Sequence, residues 1–146
     1  MNNQSPLTIL LIEDNDFDAD LTMRALHQYN LYNQIVRFAD GQEALDYIFH
    51  PDVSNGEEKR VNPKLILLDL KLPGVSGLDV LQKVKGNSCT KCIPIVILTS
   101  STEEEDIVKC YELGVNSFIS KPVVFDQFME AMKSLGLYWL LLNKTP

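Results

Sequence analysis

Five apolar runs alternate with stretches that repeat at helical spacing, and this alternation limits the fold more than any other feature of the chain. The runs are residues 7–12 (LTILLI), 34–39 (QIVRFA), 64–70 (KLILLDL), 93–99 (IPIVILT) and 116–120 (NSFIS). Most are apolar at consecutive positions, as a strand covered on both faces requires. Between them lie helical patterns. One starts at about Asp16, with Leu21, Ala25 and Tyr29 four apart and Leu26 widening that face. Residues 41–49 carry Ala44, Leu45, Ile48 and Phe49 at helical spacing, and residues 78–85 form a short third helix. The fourth opens on a capping box, Ser101 with Glu104, and stops at Gly114. The last bears Phe125, Phe128, Met129, Met132 and Leu135 on one stripe and is expected to run on toward Trp139. Residues 51–62, polar and containing Asn55-Gly56, are read as a loop. Apolar strands separated by helices predict a doubly wound α/β domain, a five-stranded parallel sheet with helices on both faces. Right-handed crossovers leave few strand orders.

At 146 residues the chain fits a single domain, 1–146, with a core over about 7–135 and an apolar C-terminal extension at 136–146. No output domain is expected. A net charge of −7 works against nucleic acid or an acidic membrane as partner. No apolar run reaches the roughly eighteen residues of a membrane span, and the first residues, MNNQSP, lack the charged start of a signal peptide. A cytoplasmic protein is expected. Cys89 and Cys92 form a CxxC, but neither a second pair nor a nearby His completes a metal site, so ordinary free thiols are expected. His27 and His50 are isolated from any motif and are read as surface histidines.

In open parallel sheets ligands bind at the carboxyl ends of the strands, so the residues that follow each strand carry the chemistry. Glu13 and Asp14 follow the first, Asp69 closes the third, Thr99 and Ser100 the fourth, and Lys121-Pro122 the fifth. Three carboxylates, a hydroxyl and an ammonium thus collect on one edge. Carboxylates brought together repel unless a cation neutralises them. Mg2+ suits such a set, because it takes one or two carboxylates and leaves positions for phosphate oxygens. A carboxylate there can attack phosphorus, with Lys121 and Thr99 stabilising the phosphoryl oxygens. This favours strand order 2-1-3-4-5, the flavodoxin-like arrangement.

The segments ILLIEDN (9–15), LILLDLKLPGVSGLDVL (65–81), IPIVILTSS (93–101) and GVNSFISKP (114–122) resemble the receiver domains of bacterial two-component response regulators. The resemblance implies that Asp69 is phosphorylated by a sensor histidine kinase. It implies that Asp14 binds Mg2+ directly, Glu13 acts mainly through a water, and the backbone carbonyl of Lys71 is a further ligand. Thr99 becomes the switch hydroxyl, Lys121 the partner of the phosphoryl group, Phe118 the switch aromatic, and Lys121-Pro122 a cis peptide. The pair Glu13-Asp14 departs from the commoner Asp-Asp, and Phe118 lacks the hydroxyl of the commoner tyrosine.

The segment 51–62 and the ending GLYWLLLNKTP are similar to short response regulators associated with phytochromes. A run of six apolar residues, 137–142, cannot all face one core, so Tyr138, Trp139 and Leu142 are expected to form a partner surface, most simply that of a homodimer. The downstream protein that reads the signal is not specified. The expectation is a phosphoacceptor signalling protein rather than an enzyme. The rival is a Mg2+-dependent phosphatase of the haloacid-dehalogenase type, which needs a second acid two residues after its nucleophile, where this chain has Lys71. A flavin carrier would need a hydroxyl- and glycine-rich phosphate loop where this chain has EDND. A degenerate receiver serving only as an interaction module is disfavoured by the complete residue set.

Overall fold

The computed structural model describes residues 8–27, 34–49, 52–54, 57–59, 63–99, 104–115 and 117–136. The strands are β1 (Thr8–Ile12), β2 (Gln34–Phe38), β3 (Asp52–Ser54), β4 (Glu57–Lys59), β5 (Leu65–Asp69), β6 (Ile95–Thr99) and β7 (Ser117–Ser120). The helices are α1 (Asp16–His27), α2 (Gly41–Phe49), α3 (Gly77–Lys85), α4 (Glu104–Glu112) and α5 (Phe125–Ser134). The main sheet is five-stranded and parallel, in the order β2-β1-β5-β6-β7. Counting only its own strands, this is 2-1-3-4-5, the flavodoxin-like receiver order. No helix among the described residues is long and apolar enough to cross a membrane.

The period of two along each strand divides the core cleanly. Leu10, Ile12, Ile66, Leu68, Ile95 and Ile97 face α2, α3 and α4, packing with Ala44, Leu45, Ile48, Leu81 and Cys110. Ile9, Leu11, Leu65, Leu67, Val96 and Leu98 face the other way, toward Leu26 of α1 and Phe128 and Met132 of α5. Both sides of β1 and β5 are therefore dry, which explains why their sequences are apolar throughout.

Local chemistry sets where the helices begin and end. Asn15 Oδ1 accepts the amide of Asp18 at 2.8 Å and caps α1, and Asp40 Oδ2 accepts the amide of Glu43 at 3.0 Å and caps α2. Ser76 and Asp79 form a capping box at the start of α3. The box expected at Ser101 lies outside the described residues. At the other end of the chain, α5 ends at Ser134 and Gly136 takes φ +71°, the left-handed turn that closes helices. The described helix thus stops short of Trp139. Residues 137–146, with Tyr138, Trp139 and Leu142, lie outside the described residues.

Two further expectations are corrected. The buried stripe of α1 is Ala19, Thr22 and Leu26, with Leu21 and Ala25 only half-buried. A threonine on the inner face disguised the register of the apolar pattern. Within residues 51–62, β3 and β4 pair antiparallel, Asp52 opposite Lys59 and Ser54 opposite Glu57. The pairing leaves Asn55-Gly56 between the strands, the dipeptide that two-residue hairpin turns favour.

Candidate functional site

Sheet register brings the chemically active side chains together. Ile12 lies opposite Leu68, so Glu13 emerges beside Asp69. Asp69 lies opposite Leu98, one residue before Thr99, and Thr99 lies opposite Ser120, one residue before Lys121. A backbone bond from Lys121 N to the Thr99 carbonyl (2.9 Å) ties the last two together. A carboxylate oxygen from each of Glu13, Asp14 and Asp69 falls within 4.8 Å of the others. Glu13 and Asp69 are buried and Asp14 is exposed.

Lys121 is the cation of the cluster. Its Nζ lies 2.7 Å from Glu13 Oε1, 3.0 Å from Asp69 Oδ2 and 3.3 Å from Asp18 Oδ2. Burial alone would lower the Lys121 pKa, but the adjoining carboxylates of Glu13 and Asp69 outweigh it and raise the pKa above the usual lysine value. The Glu13 carboxyl moves from 4.5 to about 7, chiefly because burial disfavours its charge and secondarily because Asp69 repels it, with Lys121 opposing both. Glu13 Oε2 accepts the Asn15 amide at 3.2 Å. Glu13 Oε1 is buried and, despite the nearby ammonium, accepts no aligned hydrogen bond. A buried carboxylate oxygen with an unfilled lone pair, clustered with two other carboxylates, is what a hard divalent cation requires. The residues fit such an ion.

The backbone around Asp69 is closely held. Its Oδ1 accepts the Lys71 amide at 3.1 Å, which leaves Oδ2 facing Lys121. Gly77 packs so tightly that a Cβ there would sit 2.4 Å from the Asp69 carbonyl and 2.5 Å from Leu70 Cα. Only glycine lets α3 start against the loop that carries the acid. The Lys121–Pro122 peptide is cis. Phe118 on β7 is half-buried and stacks in tilted fashion on Tyr111 of α4, ring centroids 5.0 Å apart, rather than joining the acidic cluster.

Residues 9–133 match the family described as the response regulator receiver domain. The chain belongs to that family. Among curated relatives, the receiver is 36% identical over 143 residues to the probable methanogenesis regulatory protein FilR2 of Methanothrix harundinacea, covering 98% of this chain and 90% of the relative. It is 34% identical over 136 residues to response regulator Rcp1 of Synechocystis sp., covering 92% and 90%. The bacteriophytochrome response regulator AtBRR has a solved structure 49% identical to the receiver, with TM-score 0.82 and coverage of 97% and 100%. The phosphorylated cyanobacterial phytochrome response regulator RcpA is 34% identical, TM-score 0.73, covering 97% and 99%. The Mn2+-bound form of Rcp1 is 31% identical, TM-score 0.73, with the same coverage.

Two residues at the site escaped the motif reading. Asp18 reaches Lys121 from the first turn of α1, four residues beyond Asp14, and no motif spacing marked it. Arg37 near the end of β2 donates from Nε and Nη2 to the Glu13 carbonyl (3.1 and 2.8 Å), and its Nη1 pairs with Asp16 at 2.9 Å. A lone arginine in an apolar strand carried no spacing rule that would have found it.

Proposed function

We propose that this receiver accepts a phosphoryl group from a sensor histidine kinase onto Asp69, in a site that holds Mg2+ through Glu13, Asp14 and Asp69, with the Lys71 carbonyl as a further ligand. The observation that carries this reading is the ammonium of Lys121, 3.0 Å from Asp69 inside a cluster of carboxylates. When bound, the divalent ion neutralises the carboxylates and draws charge from the phosphoryl oxygens. The chain's own groups do the rest. Asp69 Oδ attacks phosphorus, the donor's N–P bond breaks, and the phosphoryl group ends as an acyl phosphate. Lys121 pairs with its developing oxygen charge, and the Thr99 hydroxyl donates to another oxygen.

Burial of Asp69 at the end of a strand pinned on both sides keeps water from most approaches to the acyl phosphate. The backbone bond between Thr99 and Lys121 couples any shift of the hydroxyl to β7 and so to Phe118. Phe118 and Tyr111 line an open groove of about 670 Å³, with Ser120, Glu130 and Ser134, between α4, β7 and α5. This is the surface through which we infer the signal leaves. The likeness to AtBRR and RcpA, both described as phytochrome response regulators, supports a phytochrome as the kinase, and we place the exchange in the cytoplasm. We assign Tyr138, Trp139 and Leu142 to a homodimer surface on the apolar run that carries them. Light scattering of wild type and Trp139→Ala tests it: a wild type that stays monomeric at high concentration, with and without phosphorylation, removes the dimer.

The phosphatase reading has no support in the site. It asks for an acid at the position of Lys71, two residues after Asp69. Phosphorylation itself is tested by Asp69→Asn. The variant should lose all labelling by a phosphorylated kinase, or by acetyl phosphate with Mg2+, while keeping the wild-type fold. Labelling at the wild-type level would overturn the mechanism.

A further inference from the structure

Lys121 has three ammonium protons and, in this structure, three carboxylate oxygens around it. An incoming phosphoryl oxygen must therefore compete with these carboxylates for the ammonium, above all with Asp69 and Asp18, which accept its hydrogen bonds at 3.0 and 3.3 Å. The three are not equally replaceable. Glu13 is fully buried and braced by the Asn15 amide, and Asp69 is the acceptor itself, held by the Lys71 amide. Asp18 makes the longest contact, 3.3 Å, and its side chain is 33% exposed, so water can solvate it once the ammonium leaves. Its backbone stays fixed because Asn15 Oδ1 caps its amide at 2.8 Å.

Building on the phosphoacceptor reading, we propose that Asp18 is a positioning residue that holds Lys121 in the resting site and competes with the phosphoryl group for it. Two effects act in the same direction. Asp18 occupies a donor that the phosphoryl oxygens need, and its negative charge repels a dianionic phosphodonor approaching Asp69. It thereby sets how readily the site charges. Asp20 lies one half-turn along the same helix and pairs outward with Arg24 at 2.9 Å, well exposed. It carries the same charge on the same element and does not touch Lys121, so it separates a local contact from a general field.

The test compares wild type, Asp18→Asn, Asp18→Glu and Asp20→Asn. Each is titrated with acetyl phosphate at saturating Mg2+, following phosphoprotein by intact mass. Asp18→Asn should lower the half-saturating acetyl phosphate by about fivefold, the scale set by a partly exposed ion pair. Asp18→Glu restores the charge and should return near wild type, and Asp20→Asn should change little. A purely structural role for Asp18 would shift melting temperature without this pattern. A folded Asp18→Asn with an unchanged or higher half-saturating concentration would overturn the proposal. The resting contact is measured separately, in unphosphorylated protein without Mg2+, from the 1H–15N signal of the Lys121 ammonium. Asp18→Asn should shift that signal more than Asp20→Asn does, and equal shifts would also overturn the proposal. If wild type takes up no phosphoryl group at all, the functional reading fails, while the ammonium signal still decides the contact.

Discussion

Leu68 and Asp69 are consecutive on β5, and Ile12 and Glu13 are consecutive at the end of β1, yet each step crosses between two regimes. Leu68 and Ile12 are fully buried among other apolar side chains, where each added contact stabilises the fold. Asp69 and Glu13, also buried, lie among like charges that destabilise one another and are offset in part by one ammonium. The same backbone register that packs the interior also forces the carboxylates together. Neither group of residues could relax without disturbing the other, so the core supplies the rigidity that the crowded edge needs.

This contrast can be broken from either side. Leu67→Ala removes a fully buried side chain between α1, α5 and the sheet, and should cost about 2–5 kcal/mol in urea denaturation. The folded fraction should still take a phosphoryl group on Asp69. A loss well below this range would mean that the interior is not what holds the edge. Asp14→Asn acts in the opposite direction. Removing one of the clustered carboxylates should stabilise the protein in EDTA by on the order of 1 kcal/mol, and should abolish most of the stabilisation by Mg2+. Calorimetric melting with EDTA and with Mg2+ measures both. A variant less stable than wild type in EDTA, or one still strongly stabilised by Mg2+, would remove Asp14 from the site.

The parts of this molecule that follow a strict period were legible in the sequence. Runs such as ILLI and LILL read as strands covered on both faces, and the acids and Lys121 that follow them in order do gather at one end of the sheet. What stayed hidden depends on distance rather than spacing. Asp18 matters only because the first turn of α1 brings its carboxylate to Lys121, and Arg37 only because its guanidinium reaches back to the Glu13 carbonyl. Thr22 hid the true buried stripe of α1, since burial there is won by fit and not by hydrophobicity. The antiparallel pair of β3 and β4 has Asn55-Gly56 between its strands in the sequence, but these short charged strands carry no apolar alternation to flag them.

The smallest expected effect probes Glu13 itself, where the two regimes meet. Its carboxyl titrates near 4.5 in the unfolded chain and at about 7 in the folded one, mainly because burial disfavours the charge. Below pH 4.5 both states hold the proton and the folded state carries no penalty from this group. Between 4.5 and about 7 the unfolded chain releases the proton while the folded chain keeps it, so stability declines as pH rises through that window. In EDTA, wild type should therefore lose melting temperature from pH 5 to pH 7.5 relative to Glu13→Gln, whose amide cannot titrate. Mg2+ reverses the sign of the difference, because a cation favours the ionised carboxylate and competes with the proton for it. Its affinity for wild type should rise with pH through about 7 and flatten above, whereas Glu13→Gln should bind more weakly with little slope over that range. Parallel melting curves for the two proteins in EDTA, or identical pH slopes of Mg2+ affinity, would show that Glu13 is already ionised by its contact with Lys121. The crowded edge would then hold a charged Glu13 beside Asp14 and Asp69 against a single ammonium, and burial would not be what sets its protonation.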